Sequence, residues 1–368
     1  MKIRLVTSLR QFDALAPLWR EVAREGGHAS PFLSHDWFAC CWRTAGASRR
    51  REVWIVEDSA GPLALIPLLR WRTTVRGLPV RVLGFLDAPD TPFGDLVVAR
   101  GRDEVLSTLL AELRARGDWD LLWLAKLPAH SPTLKALELA LPGQFPWRVA
   151  GTQVSPCLAI STPWETFFRG KTQRFRKTCR NIENRIERAG KVAVETHHAV
   201  DPDGPVFADL MEVAYQSWKT ARGLSLATMP GMPRFFRELT RRAAANGWLR
   251  LWILRLDGRA IATEYQIAAG GVVHALRADF DAAAADLSPG SSLNFRIARA
   301  LFERGDVREY DMGPGTNDYK LRWATGARET AGLEIYAPTA YGRGLHAIET
   351  RVVPAARRLR DRVLGRCA

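Results

Sequence analysis

Asp257-Gly258 and Gly270-Gly271 divide residues 248–280 into three short runs of strand-forming side chains. An Asp-Gly pair between hydrophobic runs is a strong hairpin signal, because the two turn positions need positive φ. The spacing predicts strands over Trp248 to Leu256, Arg259 to Ala268 and Val272 to Phe280, an antiparallel meander. The meander runs into Ser288-Pro289-Gly290-Ser291-Ser292-Leu293-Asn294, where a Pro-Gly break opens a helix whose buried face is Leu293, Ile297, Ala300 and Leu301. A helix start leaves backbone N–H groups unpaired, and the helix dipole favours negative charge there. Ser288, Pro289, Gly290, Ser291 and Ser292, with Asn294 one turn on, are therefore candidates to hold phosphate oxygens.

The other half of the chain is also mixed α/β. Helical spacing marks Asp36 to Ala45 and Val105 to Arg116. Val53 to Glu57, Leu63 to Trp71, Val80 to Leu86 and Trp119 to Leu127 read as strands. At 368 residues the chain suits two domains. Pro142 to Pro156, rich in Pro, Gly and small polar residues, is the expected link between a first domain over 1–150 and a second over 151–342. Val307 to Met312 reads as a further strand, followed by Gly313-Pro314-Gly315 and the polar cluster Asn317-Asp318-Tyr319-Lys320.

The formal charge of +14 is concentrated in two places. Arg169 to Lys191 holds nine Lys/Arg against two Glu. Arg343 to Ala368 holds seven Arg against Glu349 and Asp361. A general polyanion-binding surface would spread its charge more widely. In the first segment Phe175, Cys179, Ile182, Ile186 and Ala189 form one apolar stripe, with Lys171, Arg174, Arg176, Lys177, Arg180, Arg185 and Arg188 around it. These cations are either a solvated helix face or a rim for an anionic ligand, with Arg176 and Lys177 the candidate contacts. The second segment, 343–368, reads as a basic amphipathic helix started or kinked at Pro354. Packing on the body, a partner and an anionic membrane surface are all open to it. No run of 18 apolar residues exists to span a bilayer, and Met1 to Val6 lacks the apolar core of a secretion signal. The five cysteines are odd in number and have no metal-ligand spacing; they read as reduced thiols of a cytoplasmic protein, with no metal expected.

Taken in order, Pro31-Phe32-Leu33-Ser34-His35-Asp36-Trp37, Arg174-Phe175-Arg176-Lys177, Trp248-Leu249-Arg250-Leu251 with Asp257-Gly258-Arg259, Phe280-Asp281 with Ser288-Pro289-Gly290, and Tyr319-Lys320-Leu321-Arg322-Trp323 resemble the GNAT (Gcn5-related N-acetyltransferase) superfamily. Within it the segments resemble the group linked to cellulose and exopolysaccharide biosynthesis, which is related to the peptidoglycan aminoacyltransferases. The resemblance implies tandem GNAT-like lobes, each a mixed sheet flanked by helices. It implies acetyl-CoA or another acyl-CoA as cosubstrate, lying where central strands splay apart, with its pyrophosphate on Ser288 to Ser292. The implied acceptor is a sugar, a polysaccharide precursor or an amine. Here the loop departs from the family's glycine-richer pattern, having one Gly and Asp286 nearby.

Transfer of an acyl group from a thioester needs a base for the acceptor's proton, stabilisation of the oxyanion and close placement of the reactants. No Gly-x-Ser-x-Gly elbow or cysteine–base pairing suggests a covalent nucleophile. Glu264, inside an apolar strand, is the first candidate base, since a buried carboxylate must be paired or functional and burial raises its pKa. A salt bridge to an arginine such as Arg277 is its structural alternative. His274 is a second candidate: symmetric pairing across Gly270 would set it opposite Gln266. Tyr319 is placed to protonate a departing thiolate, and Lys320 to bind a donor phosphate or an acceptor carboxylate, unless both merely finish a capped loop. Asp279 is a weaker acceptor contact at a strand end. Trp218, Trp248 and Trp323 read as core. Two other readings stand beside acyl-CoA transfer. One is aminoacyl transfer from charged tRNA, the single case that calls for nucleic acid; the other is a non-catalytic scaffold of a polysaccharide-synthesis complex.

Overall fold

The computed structural model describes residues 1–363. The first half runs β1 (Lys2–Val6), α1 (Leu9–Ala14), α2 (Ala16–Glu25), α3 (His35–Thr44), β2 (Arg50–Asp58), β3 (Gly61–Val75), β4 (Leu78–Phe85), β5 (Val97–Val98), α4 (Arg102–Ala115), β6 (Leu121–Pro128), α5 (Pro132–Ala140) and β7 (Trp147–Ala159). The second runs α6 (Trp164–Gly170), α7 (Gln173–Ala189), β8 (Val192–His197), α8 (Pro205–Gln216), α9 (Met232–Ala245), β9 (Leu249–Leu256), β10 (Arg259–Ala269), β11 (Val272–Phe280), α10 (Pro289–Glu303), β12 (Glu309–Asp311), α11 (Asp318–Trp323) and β13 (Gly326–Tyr336). It ends in α12 (Ala340–Ala347) and α13 (Val353–Val363).

The predicted meander is present as β9–β10–β11, with Asp257 and Gly258 both at positive φ. Each half repeats one strand order, and the two join in a single sheet in the order β1-β2-β3-β4-β6-β13-β7-β12-β11-β10-β9-β8. The tandem arrangement of mixed-sheet lobes flanked by helices is therefore the observed one. β4 with β6 and β11 with β12 are the parallel pairs.

The closing strands are exchanged between the lobes. β7 ends the first half but pairs with β12 of the second, and β13 of the second half pairs with β6 of the first. The segment expected to link the halves is thus largely strand, and β7 runs across residue 150. Where β13 lies between β6 and β7 its register shifts beside Gly332. A Cβ there would stand 2.4 Å from the Ala150 carbonyl oxygen, so the close backbone approach requires glycine.

One apolar core crosses both lobes on one face of the sheet. It joins Phe12, Trp19, Phe32 and Trp37 of the first lobe to Phe207, Phe235, Phe236 and Tyr265 of the second. On the other face, α4 and α5 cover the first lobe, and α6, α7, α10 and α11 cover the second. The terminal helix begins packed on the body: Leu345 joins Val80, Val82, Leu121 and Tyr336, and buried Glu349 pairs with Arg76 and Arg148. A π turn over Ile348–Val352 widens the helix just before Pro354, where an α turn would drive the ring against the carbonyl four residues back. Of the basic segment expected over 343–368, residues 364–368, Cys367 among them, lie outside the described residues.

Candidate functional site

Parallel β11 and β12 pair only from Val272 with Glu309 to His274 with Asp311. Beyond that point β12 ends, while β11 continues to Phe280. A bulge starts the divergence. Gln266 pairs with Ala275 but Tyr265 with Arg277, which leaves Leu276 as an extra residue in β11. A cavity of about 490 Å³ fills the gap. Gly313 lies beside it at φ 76°, and a Cβ there would meet the Ala275 carbonyl oxygen at 2.8 Å. The start of α10 lies at the cavity, with Ser288, Pro289, Gly290, Ser291 and Asn294 in its wall.

Glu264 projects from β10 into the same wall and is only 3% exposed. Its Oε1 accepts hydrogen bonds from the Tyr310 hydroxyl and from Gln266 Nε2 at 2.6 Å. Gln266 in turn accepts from Trp252 Nε1 at 2.9 Å, and Asn294 Nδ2 lies 3.4 Å from the Tyr310 hydroxyl. Burial raises the Glu264 pKa, opposed by the bonds from Tyr310 and Gln266 and then by the charges of Lys320 and Lys219. The Tyr310 pKa is driven far up by burial and by the Glu264 charge. The proton between the two therefore stays on the phenol when Glu264 is ionised. The salt bridge to Arg277 is not made; Arg277 pairs with Asp90 of the first lobe.

The other predicted residues divide. Tyr319 lines the cavity from α11 and is 41% exposed; partial burial and then the Glu264 charge raise its pKa. Lys320 also lines it, but its Nζ donates to the carbonyls of Gly313 at 3.0 Å and Pro314 at 2.9 Å, so much of its capacity holds the turn. Burial lowers its pKa, against the raising effect of Glu264 and Asp311. Asp279 lines the cavity beside Lys219.

Several placements differ from expectation. His274 pairs with Ile267, not Gln266, because the turn takes both Gly270 and Gly271. It is outside the cavity wall, buried against Phe32 at 4.9 Å with Nδ1 3.2 Å from Asp311 Oδ2. Ser292 turns away to donate to Glu183 on α7. Arg176 and Lys177 are not in the cavity wall; the α7 cation at the helix start is Arg185, whose Nη2 donates to Ser288 Oγ at 2.8 Å. Trp218, read as core, is 43% exposed and part of the wall, whereas Trp323 is buried.

Sequence reasoning missed Tyr310, Lys219 and Thr263, which also line the cavity. For Tyr310 a signal existed: strand alternation in Glu309-Tyr310-Asp311 turns the tyrosine to one face. Nothing local marked the other two.

Residues 173–321 match the family model described as an acetyltransferase (GNAT) domain. No curated protein matches the sequence. Among solved structures, a conserved protein of unknown function from Bacteroides thetaiotaomicron is similar at TM-score 0.57 and 13% identity, covering 91% of this chain and all of that one. FemX is similar at TM-score 0.56 and 12% identity, over 95% and 99% of the two chains. L-PGS from Bacillus licheniformis is similar at TM-score 0.54 and 13% identity, over 91% and 93%. At such identities the likeness is one of fold. By family match, residues 173–321 are similar to a GNAT acetyltransferase domain, and the tandem lobes share their fold with these structures.

Proposed function

We propose that the protein transfers an acyl group from a coenzyme A thioester to an amine or hydroxyl acceptor, with Glu264 as the base. The observation that carries this reading is the gap between β11 and β12, with a helix start at one side and a buried carboxylate in its wall. The residues present suit such a donor. Backbone of β11 beyond His274 has no β12 partner to pair with, and Asn294 Oδ1 is buried in the wall without a hydrogen bond. Bound there, the donor supplies an activated carbonyl and a thiolate leaving group. Glu264 takes the acceptor's proton as the acceptor attacks. Tyr319, kept protonated by its raised pKa, is placed to return a proton to the thiolate. Arg185, hydrogen-bonded to Ser288 at the start of α10, meets the pyrophosphate. Calorimetry with acetyl-CoA tests the reading: saturable binding is expected, and no heat at millimolar ligand rejects it.

A second reading, aminoacyl transfer from charged tRNA, draws on α7. Arg174, Lys177, Arg180 and Arg188 are exposed there and have no ion-pair partner among the described residues. It predicts tRNA binding that weakens steeply with salt.

A further inference from the structure

The cavity between β11 and β12 is lined by residues from both faces of the sheet, and its two sides are built differently. Glu264 shares its face of β10 with Ala262, which packs with Leu293 and Ile297 of α10. Thr263 shares the opposite face with Tyr265, which packs under α8 and α9. Asp279 pairs directly with Thr263 across the ladder, so the two side chains stand together on that second face. Trp218 and Lys219, just beyond α8, complete the wall there.

This second side has unmet hydrogen-bonding capacity. Thr263 is 1% exposed and its Oγ1 has no partner. Asp279 is 4% exposed; its Oδ1 is ion-paired with Lys219 Nζ at 3.0 Å, and its Oδ2 has no hydrogen-bond partner. The same Lys219 ammonium also donates to the Ala278 carbonyl, so it is held between the two acceptors. Leaving buried polar atoms unpaired costs stability, so adjacent orphans in a cavity wall mark where a ligand's polar groups fit. Carboxylate oxygens require donors. Trp218 adds a partly exposed ring at the rim, held by the Arg222 guanidinium at 4.8 Å.

We propose that Trp218, Lys219, Thr263 and Asp279 form the acceptor subsite, and that it takes a saccharide: neighbouring hydroxyls donate to Asp279 and Thr263 while the C–H face of the ring lies on Trp218. The identity of this subsite as the acceptor's rests on the acyl-transfer reading. On that reading donor and acceptor enter from opposite faces of the sheet and meet in the gap beside Glu264.

Saturation-transfer NMR on the full-length protein, with and without free CoA, tests this without turnover. The probes are methyl glucoside, which has hydroxyls and no amine, and cyclohexylamine, which has a ring and an amine but no hydroxyl. The glucoside is expected to bind more tightly than cyclohexylamine. Asp279→Asn should weaken the glucoside about tenfold, the scale of a charge-assisted hydrogen bond. Thr263→Val should weaken it several-fold with a melting temperature unchanged or raised, because the hydroxyl it removes is unpaired in the free protein. A merely structural threonine would show the reverse pattern. No glucoside binding at millimolar concentration, equal binding of the two probes, or unchanged glucoside affinity in both variants overturns the proposal. Acetyl-CoA calorimetry on the same samples separates this failure from failure of the donor reading.

Discussion

Glu264 and Tyr310 lie 46 residues apart in sequence, and the hydrogen bond between them governs what each can do. As a base Glu264 must be ionised, so turnover is expected to fall as pH drops through its raised pKa. Glu264→Gln should remove that acid limb and lower kcat by about 10²–10⁴-fold while leaving acetyl-CoA affinity in calorimetry intact. Tyr310→Phe deletes a bond that favours the carboxylate, so the limb should move to higher pH; an unmoved limb would contradict the coupling. The same group makes a stability claim. Its folded pKa is raised, so its contribution is fully present below the unfolded pKa and is lost as pH rises through the folded value. Melting temperatures of the wild type should decline over that window relative to Glu264→Gln. Burial of Glu264 was legible from its apolar strand, but its partner was not, because a strand's own pattern names a face and not what faces it.

At the scale of elements, the start of α10 departs from a glycine-rich anion loop. The N–H groups of Ser291 and Ser292 are taken by the Ser288 carbonyl, and Ser288 itself sits at φ 55°. Arg185 of α7 supplies a side-chain cation at this point. Arg185→Ala is expected to raise the acetyl-CoA Kd by roughly tenfold and to flatten its salt dependence. Binding titrations at two ionic strengths check this. The meander and the helix that follows were readable because hairpin turns and helix starts are written in a few adjacent residues. The bulge at Leu276 was not. It is one unpaired residue in an otherwise regular strand, yet it turns Glu264 to face Ala278 and starts the divergence from β12.

In the whole molecule the exchange of β7 and β13 makes the lobes interdependent. A chain ending at Thr325 would lose the strand that lies between β6 and β7. The first lobe should then show an open β6 edge, with early proteolysis near residues 121–128 and loss of cooperative melting. Phe32 tests the shared core from the other side: it is fully buried and meets His274 edge-on. Phe32→Ala should destabilise the chain by about 3–5 kcal/mol in denaturant titrations. It should also loosen β11, where His274 holds Asp311. The sequence alone determined the α/β class, the meander, the helix starts and the burial of Glu264, all products of hydrogen bonding and side-chain periodicity within about ten residues. Only the tertiary structure decided which distant strand closes each lobe, that His274 belongs to the lobe interface, and that Tyr310, Thr263 and Asp279 meet at one gap. Those outcomes depend on register and packing between segments far apart in the chain, where a one-residue shift reverses the face every side chain occupies.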